Sequence, residues 1–294
     1  MKFRAHESFF IRKNWLHKGL RNVDAKPNLF SDKTERAMDV LGIGSSMVKA
    51  LRYWLIAVGL TTEPNHGARE HRFTDLANII WKYDRYIEET GTLWLLHYNL
   101  ASNDDKATAW YYFFNQFNLH EFNKDDYVQA LGKYVQMKFE TTVATSSLEG
   151  DFDCILSTYL SRKKTNPAHI HPENNIDCPF GDLGLIDVAN AKERIYRKKS
   201  PAKNTLDPMI ALAVIIKQAD GAKEINIAHL LNSEKNIGKT FNLDMANLVD
   251  ILYQIARLEH ISITRTAGLD VIHINTEMSF LECVTAYYES LAIT

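Results

Sequence analysis

Residues 32–76 read DKTERAMDVLGIGSSMVKALRYWLIAVGLTTEPNHGAREHRFTDL, and this stretch decides the fold. Asp32 followed by Glu35 is the spacing of a capping box, so a helix is expected from there to a stop at Gly42. After the short turn Ile43-Gly44-Ser45, Ser45 or Ser46 is placed to cap a second helix reaching about Val58. Along it Met47, Leu51, Trp54, Leu55 and Val58 recur at helical spacing and make a core face. Ser45, Lys49, Arg52, Tyr53 and Ile56 make a second, more polar and basic stripe. After Gly59 the pattern becomes strand (Leu60–Thr62), turn (63–67) and strand (Glu70–Phe73). Thr74 then caps a helix with Leu76, Ile79, Ile80 and Tyr83 inward. Helix, glycine-containing turn, helix and hairpin is the winged helix-turn-helix layout, whose second helix enters a DNA major groove. On this reading Ser45, Ser46, Lys49, Arg52 and Tyr53 face DNA, while Arg69, His71 and Arg72 reach its phosphates. Such units also dock proteins, so the layout alone does not decide function.

Working outward, residues 1–30 form an arm, extended at first and then a short helix from Trp15 to Val23. The winged unit spans 31–88. A helical middle domain, 89–205, is rich in aromatics (Trp94, Tyr98, Trp110, Tyr111, Phe113, Phe114, Phe117 and Phe122), whose helical spacing marks them as core. Asn103-Asp104-Asp105 breaks it, a helix starts at Lys124 or Asp125, and another covers 141–160. The most polar stretch, 161–177, is a surface loop, and Asp187–Lys199 is expected to be a helix ending in Arg194, Arg197, Lys198 and Lys199. Residues 206–294 repeat the pattern: helices at Met209–Gln218, Ile225–Leu231 and Asp244–Glu259, then a hairpin from His260 to Ile274 turning at Ala267-Gly268. Met245, Leu248, Val249, Leu252, Ile255 and Leu258 are expected inward. Asp244, Asn247 and Asp250 on this second winged-helix-like unit would repel phosphates, so it reads as a packing or dimerisation module and leaves a homodimer open. The fold class is thus mostly α with small β-hairpin wings, α+β.

At 294 residues and 46% hydrophobic content the chain buries a full core without staples. A net charge of −2 excludes a uniformly basic nucleic-acid binder, so any DNA contact comes from local patches. Cys154, Cys178 and Cys283 are too few for a disulfide framework, and no apolar run approaches a membrane span, so a cytoplasmic protein is expected.

Four constellations bear on chemistry. Glu149, Asp151 and Asp153 place three carboxylates within five residues, and Glu149 and Asp153 lie one helical turn apart, where they can share Mg²⁺ or Mn²⁺ for phosphodiester cleavage. Acids near a helix start also occur simply to complement its dipole. His6-Glu7, with Arg4 and Arg12 on the same arm, is the second catalytic choice; a salt-bridged arm clamped on the core explains the same residues. Cys154, His169, His171 and Cys178 follow no structural zinc spacing, so no zinc is expected. Gly238-Lys239-Thr240 resembles the end of a P-loop, but Ser233 stands where the first glycine belongs and a helix precedes it, so no nucleotide is expected either.

Several segments resemble a known family. They are His6-Glu7-Ser8-Phe9, Trp15-Leu16-His17-Lys18-Gly19, Leu41-Gly42-Ile43-Gly44 with Met47-Val48, Arg52-Tyr53-Trp54 and Gly59-Leu60. Gly91 to His97, Ala107-Thr108-Ala109-Trp110 with Phe113-Phe114, and Ser147-Leu148-Glu149 through Asp151-Phe152-Asp153-Cys154 extend the likeness over most of the chain. It is similar to the bacterial domain-of-unknown-function family numbered 4007. The resemblance implies a place in DNA phosphorothioation and phage defence, beside a cysteine desulfurase, a phosphoadenosine-phosphosulfate-reductase-like protein and an ATPase. A member from the single-stranded Ssp-type system is described as a DNA-nicking subunit. The family supplies no catalytic residue to transfer, so Glu149, Asp151 and Asp153 rest on the chemical argument alone. Two function classes stay open: a metal-dependent DNA nickase, and a non-catalytic winged-helix adaptor or transcriptional regulator that recruits partners to DNA.

Overall fold

The structure is a computed structural model and describes the chain except residues 32, 33, 65–68, 161–177, 267, 268, 293 and 294. The capping box at Asp32, the loop 161–177 with His169 and His171, and the Ala267-Gly268 turn therefore lie outside the described residues.

From the N-terminus come α1 (Trp15–Ala25), α2 (Thr34–Leu41), α3 (Ser45–Ala57), the two-stranded antiparallel pair β1 (Thr61–Thr62) and β2 (Arg72–Phe73), and α4 (Asp75–Tyr83). Gly42 ends α2 in the left-handed conformation at φ +62°, and its N–H donates to Met38 O at 2.8 Å. Neither serine caps α3. Gly44 is the N-cap and Ser45 the first helical residue, so both hydroxyl side chains are exposed on the first turn. Leu51, Trp54, Leu55 and Val58 are fully buried, with Met47 at the margin. Tyr53, expected on the outer stripe, is buried as well. Thr74 caps α4 by accepting from Ala77 N at 3.1 Å.

The middle contains α5 (Thr90–Ser102), α6 (Thr108–Asn115), β3 (Glu121–Phe122), α7 (Lys124–Phe139), α8 (Thr145–Tyr159), a 3-10 turn (Pro179–Leu183), β4 (Ile186–Asn190) and β5 (Ile195–Lys198). Its aromatics are core: Trp94, Phe113 and Tyr127 are fully buried. Asn123 and Asp126 form the capping box that starts α7. The helix expected over Asp187–Lys199 is instead an antiparallel hairpin, joined by β3 in a sheet of order β3-β5-β4. Local chemistry explains the difference. The Asn190 side chain accepts from the backbone of Lys192 and Glu193, and Arg194 adopts φ +54°, which together build a turn. Lys198 donates to Phe113 O and Phe117 O, so it neutralises the C-terminal end of α6 rather than of its own segment. Burial, with nearby Lys239 adding to it, lowers its pKa to about 7.

The C-terminal part has α9 (Pro208–Ala219), β6 (Glu224–Asn226), α10 (Ile227–Asn232), α11 (Ile237–Thr240), α12 (Met245–Arg257), β7 (Ile261–Thr266), β8 (Leu269–Ile274) and α13 (Phe280–Leu291). The segment expected as helix over Ile225–Leu231 begins as strand, because β6 pairs with β8 and Asn226 then caps α10 by accepting from Ala228 N. Met245 and Leu258, expected inward, are 47% and 46% exposed, since they flank the face that α12 buries. A Cβ on Gly238 would sit 2.2 Å from Leu231 O, so α10–α11 packing accounts for the glycine before Lys239-Thr240. Helix α13 ties the C-terminal part to α4 and α5. Tyr287 OH accepts from Gly91 N at 3.1 Å, and Tyr288 stacks on Tyr83 at 5.4 Å. The molecule is mostly helical with small antiparallel sheets, α+β, around one apolar cluster running from Ile11 to Tyr288.

Candidate nucleic-acid interface

The α3 face and the β1–β2 pair sort the eight residues expected to meet DNA. Ser45, Ser46, Lys49, Arg69 and Arg72 are exposed, with the Arg72 side chain 76% so. Arg52 turns to Glu63 on the hairpin in a bidentate ion pair. His71 is buried: its Nδ1 is 3.0 Å from Thr61 Oγ1, and its Nε2 is 3.4 Å from a Glu63 oxygen, too long for a good hydrogen bond. Burial drives its pKa down to about 4, with Arg52 adding and Glu63 opposing. His71 thus fixes the hairpin and cannot touch a phosphate.

A cavity of about 260 Å³ opens between α3 and the hairpin, lined by Tyr53, Ile56, Glu63 and Pro64. Three cations converge on it from separate parts of the chain: Lys2 of the arm, Arg69 of the hairpin and Lys106 of the α5–α6 turn. The Lys2 N–H donates to Thr108 Oγ1 at 3.0 Å, and its ammonium is 6.0 Å from the Tyr53 ring. Lys2 and Lys106 escape a reading of the sequence. Each is a lone lysine locally, and only tertiary packing brings them to Arg69.

Behind Tyr53 the first and second catalytic choices meet. His6 and Asp151 are 0% and 1% exposed, and His6 Nε2 is 2.7 Å from Asp151 Oδ1. Ser8 N–H donates to His6 Nδ1 at 3.1 Å, which assigns the proton to Nε2 and makes it the donor to the carboxylate. Arg4 N–H donates to the same oxygen at 2.9 Å, whereas Asp151 Oδ2 is buried with no hydrogen-bond partner among the described residues. Burial raises the Asp151 pKa, and the bond from His6 opposes this. The imidazole stacks on Trp54 (6.1 Å, 22°) and meets Trp110 edge-on (5.7 Å, 79°). Holding the arm there requires left-handed backbone at Arg4, Glu7 and Ser8 (φ 52°, 50° and 68°).

The three carboxylates do not converge. Asp151 points into the core from α8, and exposed Asp153 pairs with Lys124 at 2.7 Å. Glu149, half-buried, shares the Asp153 face but not the Asp151 one, and Glu7 is exposed on the arm. No group of three or more His, Cys, Asp or Glu side chains able to hold a metal ion occurs among the described residues. Glu149 and Asp153 offer two carboxylates on one face of α8, one of them already paired with Lys124, so a divalent cation held there would take its remaining oxygens from water or a phosphate. No helix among the described residues is long and apolar enough to cross a membrane.

Two solved structures share this fold. One, described as a magnesium ion-bound SspB crystal structure, is 24% identical, with a TM-score of 0.84 over 100% of this chain and 89% of that one. A second SspB crystal structure gives a TM-score of 0.83 at the same identity and coverage. No functionally curated protein matches the chain. The family described as "Protein of unknown function (DUF4007)" matches residues 3–288, and the chain belongs to it.

Proposed function

We propose that the protein is the DNA-binding component of a bacterial phosphorothioate modification system of the Ssp type, and that it introduces nicks for sulfur insertion. The observation that carries DNA binding is the convergence of Lys2, Arg69 and Lys106 on one cavity beside exposed Lys49 and Arg72. In a chain of net charge −2, such focusing of cations favours a phosphate backbone over nonspecific attraction. In this reading α2, α3, the hairpin and α4 act as a winged helix, with Ser45, Ser46 and Lys49 toward base edges and Arg69 and Arg72 on phosphates. The likeness to SspB structures and the sequence resemblance support the pathway, where cysteine desulfurase, phosphoadenosine-phosphosulfate-reductase-like and ATPase proteins are the partners.

Burial of His6 and Asp151, and the pairing of Asp153 with Lys124, favour a second reading: an adaptor that binds DNA without cutting it. In both readings His6–Asp151 is a positioning pair that seats the arm and delivers Lys2 to the cavity. Plasmid nicking with Mg²⁺, Mn²⁺ or EDTA decides between them. Open circles from wild type, lost in Lys2→Ala/Lys106→Ala and kept in Asp153→Asn, support a nickase working at the cavity. Intact plasmid alongside salt-dependent binding supports the adaptor. Binding with a log K versus log salt slope near zero rejects both.

A further inference from the structure

A separate cavity of about 460 Å³ lies between the end of the arm, the first turn of α1, the α4–α5 turn and the 3-10 turn. It shares no lining residue with the cavity at Tyr53. Its size falls within the roughly 300–1,000 Å³ of small-molecule sites. At its edge Tyr86 is 60% exposed. That ring ends an aromatic cluster: Tyr86 lies 4.7 Å from His17 at a tilt of 37°, and His17 is nearly parallel to Trp81 (5.8 Å, 21°). The Arg85 guanidinium is 4.7 Å from Trp81, and Arg85 O pairs with His17 Nδ1 at 2.9 Å. An exposed ring at the edge of an aromatic cluster leaves a face on which one more ring can stack.

The turn that presents Tyr86 is built firmly. Buried Asp84 accepts from the backbone of Glu88 and Glu89 (3.0 Å each) and from the Thr92 hydroxyl (2.6 Å). Those bonds hold Ile87, a β-branched residue lining the cavity, at φ +58°. Such a conformation is costly for a β-branched residue and persists where surrounding structure fixes it, often at ligand sites. The polar lining combines two cations, Arg12 and Lys13, with two carboxylates, Glu88 and Asp182. A simple anion has no use for the carboxylates, and an apolar ligand has no use for either pair. A nucleotide uses all of it: the ring stacks, exocyclic amino groups donate to carboxylates, and the phosphate meets the cations.

We propose that this cavity takes one unpaired nucleobase together with its phosphate. The base comes from an opened DNA strand, and in that respect the assignment rests on the DNA-binding reading above. A free nucleotide has the same chemistry, and the test separates the two sources.

The experiment uses the full chain as wild type, Tyr86→Ala and Tyr86→Phe. It reads anisotropy of a short labelled single strand and of a duplex, quenching of 2-aminopurine in the single strand, and competition by deoxyadenosine monophosphate. Wild type should quench the fluorophore. Tyr86→Ala should weaken single-strand binding about tenfold, the loss expected for one stacked base, with Tyr86→Phe retained and duplex binding unchanged. Tyr86→Ala binding the strand as wild type does overturns the pocket while leaving duplex binding, and so the DNA reading, intact. Tyr86-dependent binding of the monophosphate alone, with neither polymer bound, keeps the pocket, makes its ligand a free nucleotide and overturns the DNA reading. Absence of all three interactions overturns both.

Discussion

His71 and His97 are both buried neutral, and each has its pKa lowered from the usual 6.5 to about 4 by burial. His97 ties α5 to α8 and α11, with Nδ1 2.7 Å from Tyr159 OH and Nε2 donating to Thr240 O at 2.6 Å. An unfolded chain protonates such residues near 6.5, so between pH 6.5 and 4 it binds more protons than the fold does. Stability therefore falls as pH drops through that window, by on the order of 3 kcal/mol per histidine at its end. Asp151 acts in the opposite sense. Its folded pKa is raised, so protonation at low pH relieves part of the cost of burying it. Urea unfolding as a function of pH should show the net loss, and His97→Gln should have a shallower slope across the window. A slope equal to that of wild type would contradict this role of His97. Neither histidine is marked by its sequence neighbours, because what tunes each lies across the fold. The His6–Asp151 pair shows the same limit. Each member is visible as a titratable residue in a recognisable segment, but their 145-residue separation hides that they are partners.

At the level of elements, α2, α3 and α4 with their caps at Gly42 and Thr74 are legible because helical periodicity and capping chemistry are local. The hairpin at Ile186–Lys198 is not, since Arg194, Arg197 and Lys198 with the following Lys199 satisfy a helix-dipole argument equally well until β3 supplies a partner strand. The α3 stripe divides accordingly. Arg52 holds Glu63, so Arg52→Ala should loosen the hairpin and speed amide exchange at Thr61, Thr62 and Phe73. Lys49→Ala should leave exchange unchanged and lower the salt slope of DNA binding by about one. Equal effects of both on DNA affinity, with no change in exchange, would refute the division. Helix α13 offers a sharper case. A Cβ on Gly91 would clash with the end of the buried Tyr287 ring, so Gly91→Ala must displace that ring or the α13 turn that carries it. A loss of about 2–3 kcal/mol in chemical denaturation is expected, and Tyr287→Ala in the same background should recover part of it.

Across the whole molecule, the segments that carry the family resemblance are scattered in sequence and meet in space: His6, Trp54, Trp110 and Asp151 form one buried contact set. The mostly helical class was readable because it is the sum of local patterns. The cation-lined cavity was not, because it exists only once the arm, the hairpin and the α5–α6 turn are packed. That order of assembly has a consequence for biosynthesis. Arg4 and His6 leave the ribosome well before Asp151, to which they bond across 147 and 145 residues of chain. At about 5–20 residues per second, the arm must wait roughly ten to thirty seconds for its acceptor to be made. The arm's ties to Trp15 and Trp54 can form early, but the bond that seats His6 waits until α8 has been made.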